Sequence, residues 1–264
     1  MSKPPSSVTF RRNRKRNLFA HVVEELGARI VRGDLKSNES FSIEADLGHE
    51  FGASRSVIRE AVKSLSARGL IESRTRTGIR VLPPIHWNLL DPEILSWRYS
   101  AMPLAEFYRE LFEIRFMIEP KAAALAAKRA AAAELAEIAA AFGDMVAASG
   151  HGTSGAEADL RFHRAILAAA QNPLLLQMGN LIAVGLDISH QISSESFTVF
   201  LPLHKKVLDA IAARQPGRAT TSMERLLKET LEFTLGHLPK AGMRAAPGAR
   251  QKRLPSTARR VARA

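Results

Sequence analysis

The sequence predicts a mainly α protein in two parts, an N-terminal winged helix-turn-helix followed by an all-α bundle of about six or seven helices. Three observations predict it. An apolar stripe at helical spacing is followed by two short helical patterns joined at a glycine, a hairpin pattern comes directly after them, and helical periodicity dominates beyond Pro103. A chain of 264 residues with 46% hydrophobic content has material for two modest cores.

The elements follow in order. Leu18, Val22, Leu26 and Ile30 recur at every fourth position of one helix over Asn17–Arg32, which Gly33 ends. A polar link over 34–42 leads to a second short helix at about Glu44–Phe51, broken by Gly52. Ser54 has the residue type to cap a third helix with Val57, Ile58, Ala61, Val62 and Leu65 on its inner face, stopping near Gly69. Two short helices around a tight glycine turn read as a helix-turn-helix. Leu70–Arg74 and Ile79–Leu82 flank Thr75–Gly78 as a hairpin, the wing.

Pro83 and Pro84 stiffen the exit, and Trp87–Pro92 opens a connector with a short helix near Glu93–Tyr99. The expected layout is a basic disordered arm over 1–16, a winged helix over 17–83, a connector over 84–102, a helical domain over 103–238 and a basic disordered tail over 239–264. Breaks in the helical domain fall at Gly150–Gly155, Asn172-Pro173, Ser193–Ser196 and Gln215–Gly217. The Ala-rich run Ala122–Ala141, carrying Leu125, Leu135 and Ile138, suits helices that approach closely.

Charge is unevenly distributed. The net charge is +12, yet residues 1–16 and 240–264 hold six and eight Lys or Arg with no acid, leaving 24 basic against 26 acidic residues elsewhere. Two basic tails on a neutral body attract a polyanion such as DNA, or simply keep the chain solvated; both readings stand. The absence of cysteine excludes disulfides and thiolate metal sites, so any metal rests on His, Asp or Glu. No apolar stretch reaches the roughly 20 residues of a membrane span and no apolar signal core follows the basic N-terminus, which gives the expectation of a soluble, cytoplasmic protein with no membrane partner.

With its apolar face buried, the third helix leaves Arg55, Ser56, Arg59, Glu60 and Lys63 outside. Arg55 and Arg59 share one face at the N-terminal end, where a recognition helix meets base edges in the major groove, and arginine makes forked bonds to guanine. Ser54 and Ser56 beside the helix start suit a phosphate, while Arg74, Arg76 and Thr77, with Gly78 at the wing tip, suit the adjacent backbone or minor groove. The bland reading is a winged helix used for protein contacts; basic residues on both helix and wing favour DNA.

In the second part, Asp159 and His163 are spaced to share one helical face and ligate one ion, with His204 on a later helix able to close on the same point. A capped core histidine or a surface ion pair explains the same spacing. Arg115, flanked by Leu111, Ile114 and Ile118, is placed to point into the bundle and hold a carboxylate, or to form a helical ion pair with Glu119. Trp87 and Trp97 read as packing residues.

The run Phe51-Gly52-Ala53-Ser54-Arg55-Ser56-Val57-Ile58-Arg59-Glu60-Ala61, with Leu65, Gly69-Leu70-Ile71 and Gly78-Ile79-Arg80-Val81, resembles the GntR family of bacterial regulators. Arg115, Ile118-Glu119-Pro120, Ala122-Ala123, Asp159, Phe162-His163, Asn172-Pro173, His204 and Leu208–Ile211 resemble its FadR-type subgroup, whose effector domain, the FCD domain, is a helical bundle. The connector Trp87–Pro92 is similar to that of a sugar-acid-responsive member.

The resemblance implies a homodimer on a double-stranded DNA operator, with Ser54, Arg55, Ser56 and Arg59 at DNA-contacting positions, and a small organic or sugar acid as effector held by Arg115, Asp159, His163 and His204. It also implies one divalent metal, zinc or nickel-like, on Asp159, His163 and His204. Two departures stand out. Ala45 occupies a position where the family often has a DNA-contacting arginine, and Leu226 stands where a further metal-ligating histidine is expected, so that three ligands with water or an effector carboxylate hold the ion, His190 reaches inward instead, or the pocket binds its ligand without metal.

The expected function is a ligand-modulated DNA-binding regulator, a repressor, and not an enzyme. A metal-dependent hydrolase built on Asp159, His163 and His204 lacks a general base beside those ligands and any Gly-x-Ser-x-Gly motif. An architectural nucleic-acid binder would follow from the basic tails alone.

Overall fold

Two separate apolar cores organise the chain, one for each predicted part. The computed structural model describes residues 7–38, 40–41, 44–74, 78–148, 154–179, 182 and 199–238, without the side chains of 7–16, Arg74, Ser154 and Ala156. Helix α1 (Ser7–Arg32) buries Val22, Val23, Leu26 and Ile30. Its start corrects the expected disordered arm over 1–16, which is helical from Ser7 onward. The reason is local: after Pro5 the segment has no Gly or Pro and is rich in straight-chain Arg and Lys, so extending an established helix costs little.

Helices α2 (Glu44–Glu50) and α3 (Arg55–Ala67) meet at a turn in which Gly52 adopts φ 56°, a left-handed conformation that glycine takes without strain. The buried residues of α3 are Val57, Ile58, Ala61, Val62 and Leu65, as its periodicity predicts. Ser54 occupies the N-cap position, but its hydroxyl makes no capping bond and lies 3.0 Å from Ser56 Oγ instead. Strands β1 (Ile71–Arg74) and β2 (Gly78–Val81) pair antiparallel, with Ile71 opposite Val81 and Arg74 opposite Gly78. The preceding link is more ordered than its polar sequence implies: Asn38 N donates to Val81 O and Phe41 N to Ile79 O, both at 2.9 Å, covering the free edge of β2.

The connector is bound into the N-terminal unit. Trp87 Nε1 donates to Leu82 O at 2.9 Å, and a Cβ on Gly69 would meet His86 O at 2.0 Å, so only glycine admits that crossing. Asp91 caps α4 (Pro92–Ala101) by accepting from Glu93 N and Ile94 N, while Arg68 pairs with Asp91 at 3.1 Å and Glu93 at 2.5 Å. Ile94 and Trp97 join the N-terminal core. The segment expected as a spacer over 84–102 is therefore largely a fourth side to the winged helix, because its apolar residues find α1 as their nearest cover.

The second core is built from α5 (Leu104–Arg129), α6 (Ala132–Ala147), α7 (Ser154–Ala169), α8 (described over 173–179), α9 (Leu201–Ala212) and α10 (Pro216–His237). Helix α5 is the hub, packing against α7, α9 and α10. Ala122, Ala123, Ala126 and Ala127 are buried on it, and their small side chains let neighbouring backbones approach. Arg214 closes the end of α5 by donating to Ala130 O at 2.5 Å, satisfying a carbonyl that the helix itself leaves unpaired. Among the described residues no helix is long and apolar enough to cross a membrane.

Candidate functional site

The outer face of α3 carries Arg55, Ser56 and Arg59, all exposed, with exposed Ser54 just before it. The inner face is fixed by the five buried apolar residues, so helical geometry sends Arg55 and Arg59 outward together. Arg59 is held loosely, with Nε 4.0 Å from Glu44 Oε2 and a side chain 63% exposed, which leaves it free to leave that acid for a stronger acceptor. The unused cap hydroxyl of Ser54 and the first-turn N–H groups form a small donor cluster at the helix start. On the wing, Gly78 has φ 85° and Arg74 lies opposite it in the ladder. Arg76 and Thr77 lie outside the described residues, as does the side chain of Arg74.

The second site lies inside the bundle. Arg115 and Glu119 on α5, Asp159 and His163 on α7 and His204 on α9 are all buried, at 1–6% exposure. Three helices thus converge with five ionisable groups in an apolar core, an expensive arrangement unless the groups satisfy one another or a ligand. Arg115 Nε donates to Glu119 Oε1 at 2.5 Å, and His163 Nδ1 to Glu119 Oε2 at 2.5 Å. The helical ion pair of Arg115 with Glu119 exists, and Arg115 Nη1 is buried without a hydrogen-bond partner. The guanidinium also stacks over Phe112 at 4.6 Å.

The donor atoms of Asp159, His163 and His204 lie within 4.8 Å of one another. His204 Nδ1 donates to Phe200 O at 2.8 Å, which in a neutral ring leaves the lone pair on Nε2, and Nε2 faces Asp159 Oδ1 at 2.9 Å. His163 Nε2 faces the same oxygen at 3.6 Å. Unless a proton or a metal cation lies between them, lone pairs directed at one another repel, and His204 Nε2 is buried without a hydrogen bond. Ligands at about 2.1 Å from a tetrahedral zinc ion are about 3.4 Å apart, so these spacings suit one. The donor set fits a divalent metal, and each imidazole presents Nε2 because an oxygen acceptor holds its Nδ1.

Electrostatics follow the same geometry. Burial alone would raise the Glu119 pKa, but Arg115 and His163 outweigh it and lower it to about 2. Burial likewise opposes charge on His163, but Glu119 and Asp159 reverse that and raise its pKa to about 9. Leu226, at the position of the absent histidine, is 1% exposed and belongs to the apolar core. His190 lies outside the described residues. Glu119 is the member that sequence reasoning missed as a site residue; its signals are its i+4 spacing from Arg115 and its place in the Ile118-Glu119-Pro120 run.

Comparison with known proteins fits this geometry. Residues 18–81 match the bacterial regulatory proteins of the gntR family, and residues 110–229 match the FCD domain. The uncharacterized HTH-type transcriptional regulator YieP of Escherichia coli (strain K12) is 30% identical over 217 residues, spanning 81% of this chain and 94% of that one. The galactonate operon transcriptional repressor of the same strain is 36% identical over 162 residues, spanning 61% and 71%. Among solved structures, Lar, which controls expression of the Listeria monocytogenes agr system, shares the fold with a TM-score of 0.60 at 20% identity, covering 83% of this chain and 96% of that one. The relatives that the chain matches are transcription regulators and not enzymes, and its winged helix-turn-helix with an exposed arginine pair, joined to a helical domain, is of that class. The chain belongs to the GntR family of bacterial regulatory proteins and carries an FCD domain in its C-terminal part.

Proposed function

We propose that this protein is a repressor that binds a double-stranded DNA operator as a homodimer in the cytoplasm and leaves it when a small carboxylate, a sugar acid such as an aldonate, enters the bundle. The observation that carries the effector reading is the Arg115 Nη1 group, buried without a partner in a side chain 2% exposed and tied through Glu119 to His163. A buried guanidinium donor with nothing to bond calls for an oxyanion, and a carboxylate matches its geometry. The likeness to a galactonate operon repressor supports a sugar acid and repression.

Asp159, His163 and His204 would hold one zinc or nickel-like ion, since two imidazoles and a carboxylate without thiolate suit those metals. The bound ion supplies a Lewis-acid anchor for a carboxylate oxygen. Arg115 holds and orients that carboxylate, and the surrounding apolar core excludes water. On the DNA side, Arg55 and Arg59 read base edges, Ser54 and Ser56 take a phosphate, and Arg74, Arg76, Thr77 and Gly78 meet the flanking backbone.

A ligand changes operator affinity only by favouring one arrangement of the dimer, with couplings of about 1–3 kcal/mol. Helix α5 supplies the path: Arg115 lies on it, and its first turns meet α4 through the Arg98–Glu110 pair at 2.7 Å and the Tyr99 and Phe107 rings at 5.5 Å. Helix α4 in turn is packed onto the winged helix. Gel shifts on the promoter beside its own gene, with and without aldonates, test the reading. Release by an aldonate in the wild type, and its loss in Arg115→Ala with operator binding intact, are expected. Binding that no acid alters, or an unchanged response in Arg115→Ala, overturns it.

A further inference from the structure

Glu119 joins the two halves of the buried site. The carboxylate is 1% exposed and uses one oxygen on Arg115 Nε and the other on His163 Nδ1. One consequence is geometric. The guanidinium fork is already half engaged, leaving the unpartnered Nη1 for a ligand.

The other consequence concerns charge. With a divalent ion on Asp159, His163 and His204 and both imidazoles neutral, the ion and Arg115 bring three positive charges against two negative ones from Glu119 and Asp159. One positive charge is left over. Among the described residues the core buries no other charged side chain that could offset it. An enclosed site disfavours residual charge of either sign, because each uncompensated ion loses its hydration.

We infer that the site selects anions bearing a single negative charge, monocarboxylates rather than dicarboxylates, and that Glu119 is the residue that sets this limit. The inference rests on the metal and carboxylate reading given above. A monocarboxylate bridging the ion and Arg115 Nη1 neutralises the pocket. A second carboxylate on the ligand would arrive without a further cation, since Arg115 already shares its charge with Glu119 through Nε. Exchanging Glu119 for glutamine keeps its size and one acceptor oxygen but removes one negative charge, which creates room electrostatically for a dianion.

The test uses full-length protein loaded with zinc, its metal content measured, in calorimetric titrations with acids that share a skeleton: D-gluconate against D-glucarate, D-galactonate against D-galactarate, and acetate against malonate. In the wild type, a monoanion is expected to bind at least about tenfold more tightly than its dianionic counterpart. In zinc-loaded Glu119→Gln that ratio is expected to shrink by about tenfold or invert. A second variant, Arg115→Gln, removes a positive charge and is expected to weaken all the acids, dianions most. Tighter dianion binding by the wild type, no binding of any monoanion, or an unchanged ratio in zinc-loaded Glu119→Gln overturns the inference. If Glu119→Gln does not retain zinc, a wild-type ratio at or below unity, or dianions least weakened in Arg115→Gln, does the same. Failure of the underlying reading has a separate signature: wild-type protein that takes up no zinc.

Discussion

The Trp97 indole lies against the α1 backbone at Gly27, where an added methyl would fall 2.3 Å from the ring carbons Cη2 and Cζ3. Trp97 is 3% exposed, so glycine in the middle of a helix, normally a cost, here provides the seat that fastens α4 to the winged helix. Whatever moves α4 therefore moves the DNA-binding unit.

Gly27→Ala should destabilise the protein despite alanine's better helix propensity. Overpacking costs about 1–3 kcal/mol, against a propensity gain of about 1 kcal/mol. Trp97→Ala should cost more, about 3–5 kcal/mol, by opening a cavity. Urea unfolding followed by circular dichroism measures both; a Gly27→Ala protein more stable than wild type would show that the indole can move aside at no cost.

Arg55→Ala and Arg59→Ala should each weaken operator binding by about 1–3 kcal/mol while leaving affinity for random duplex nearly unchanged. Fluorescence anisotropy on both duplexes at fixed salt separates the effects. Equal losses on operator and random sequence would reduce both arginines to phosphate contacts.

Protein stripped by a chelator should take up one zinc ion per chain, and His163→Ala or His204→Ala should abolish tight uptake, since two remaining donors hold zinc poorly. Loading at about a hundredfold above Kd should add about 2.7 kcal/mol of stability. Isothermal titration and a thermal scan read the two. Undiminished uptake in both histidine variants would place the metal elsewhere.

Metal-free protein should lose stability on the alkaline side. The His163 pKa is raised from 6.5 to about 9 on folding, so its contribution is fully present below pH 6.5 and lost as pH rises through about 9. For Glu119, lowered from 4.5 to about 2, the contribution is present above pH 4.5 and lost as pH falls through about 2. Zinc takes the place of the His163 proton, so its stabilisation should grow over the range in which the metal-free protein weakens. Comparing Tm with and without zinc at pH 6.5 and 9 tests this; a gap that stays constant would mean that His163 binds no proton on folding.

Much of the N-terminal unit was legible in sequence because its information is local. The inner face of α3, the glycine turn at Gly52 and the hairpin of β1 and β2 each follow from spacing within a dozen residues. Charge suggests an arm ahead of the first helix, whereas helix propensity carries that helix back to Ser7. The residue type of Ser54 suits a cap, but Ser56 takes its hydroxyl instead.

By itself the sequence determined which faces are apolar, which helix presents two arginines and that Asp159 and His163 share a helical face, because these are properties of one element with a fixed period. Tertiary structure alone decided that α4 belongs to the winged helix, that His204 closes on Asp159, and that Glu119 reaches both Arg115 and His163. The reason is that side chains on different helices meet only after packing sets the helices' rotation and separation, and no periodicity along one helix encodes that.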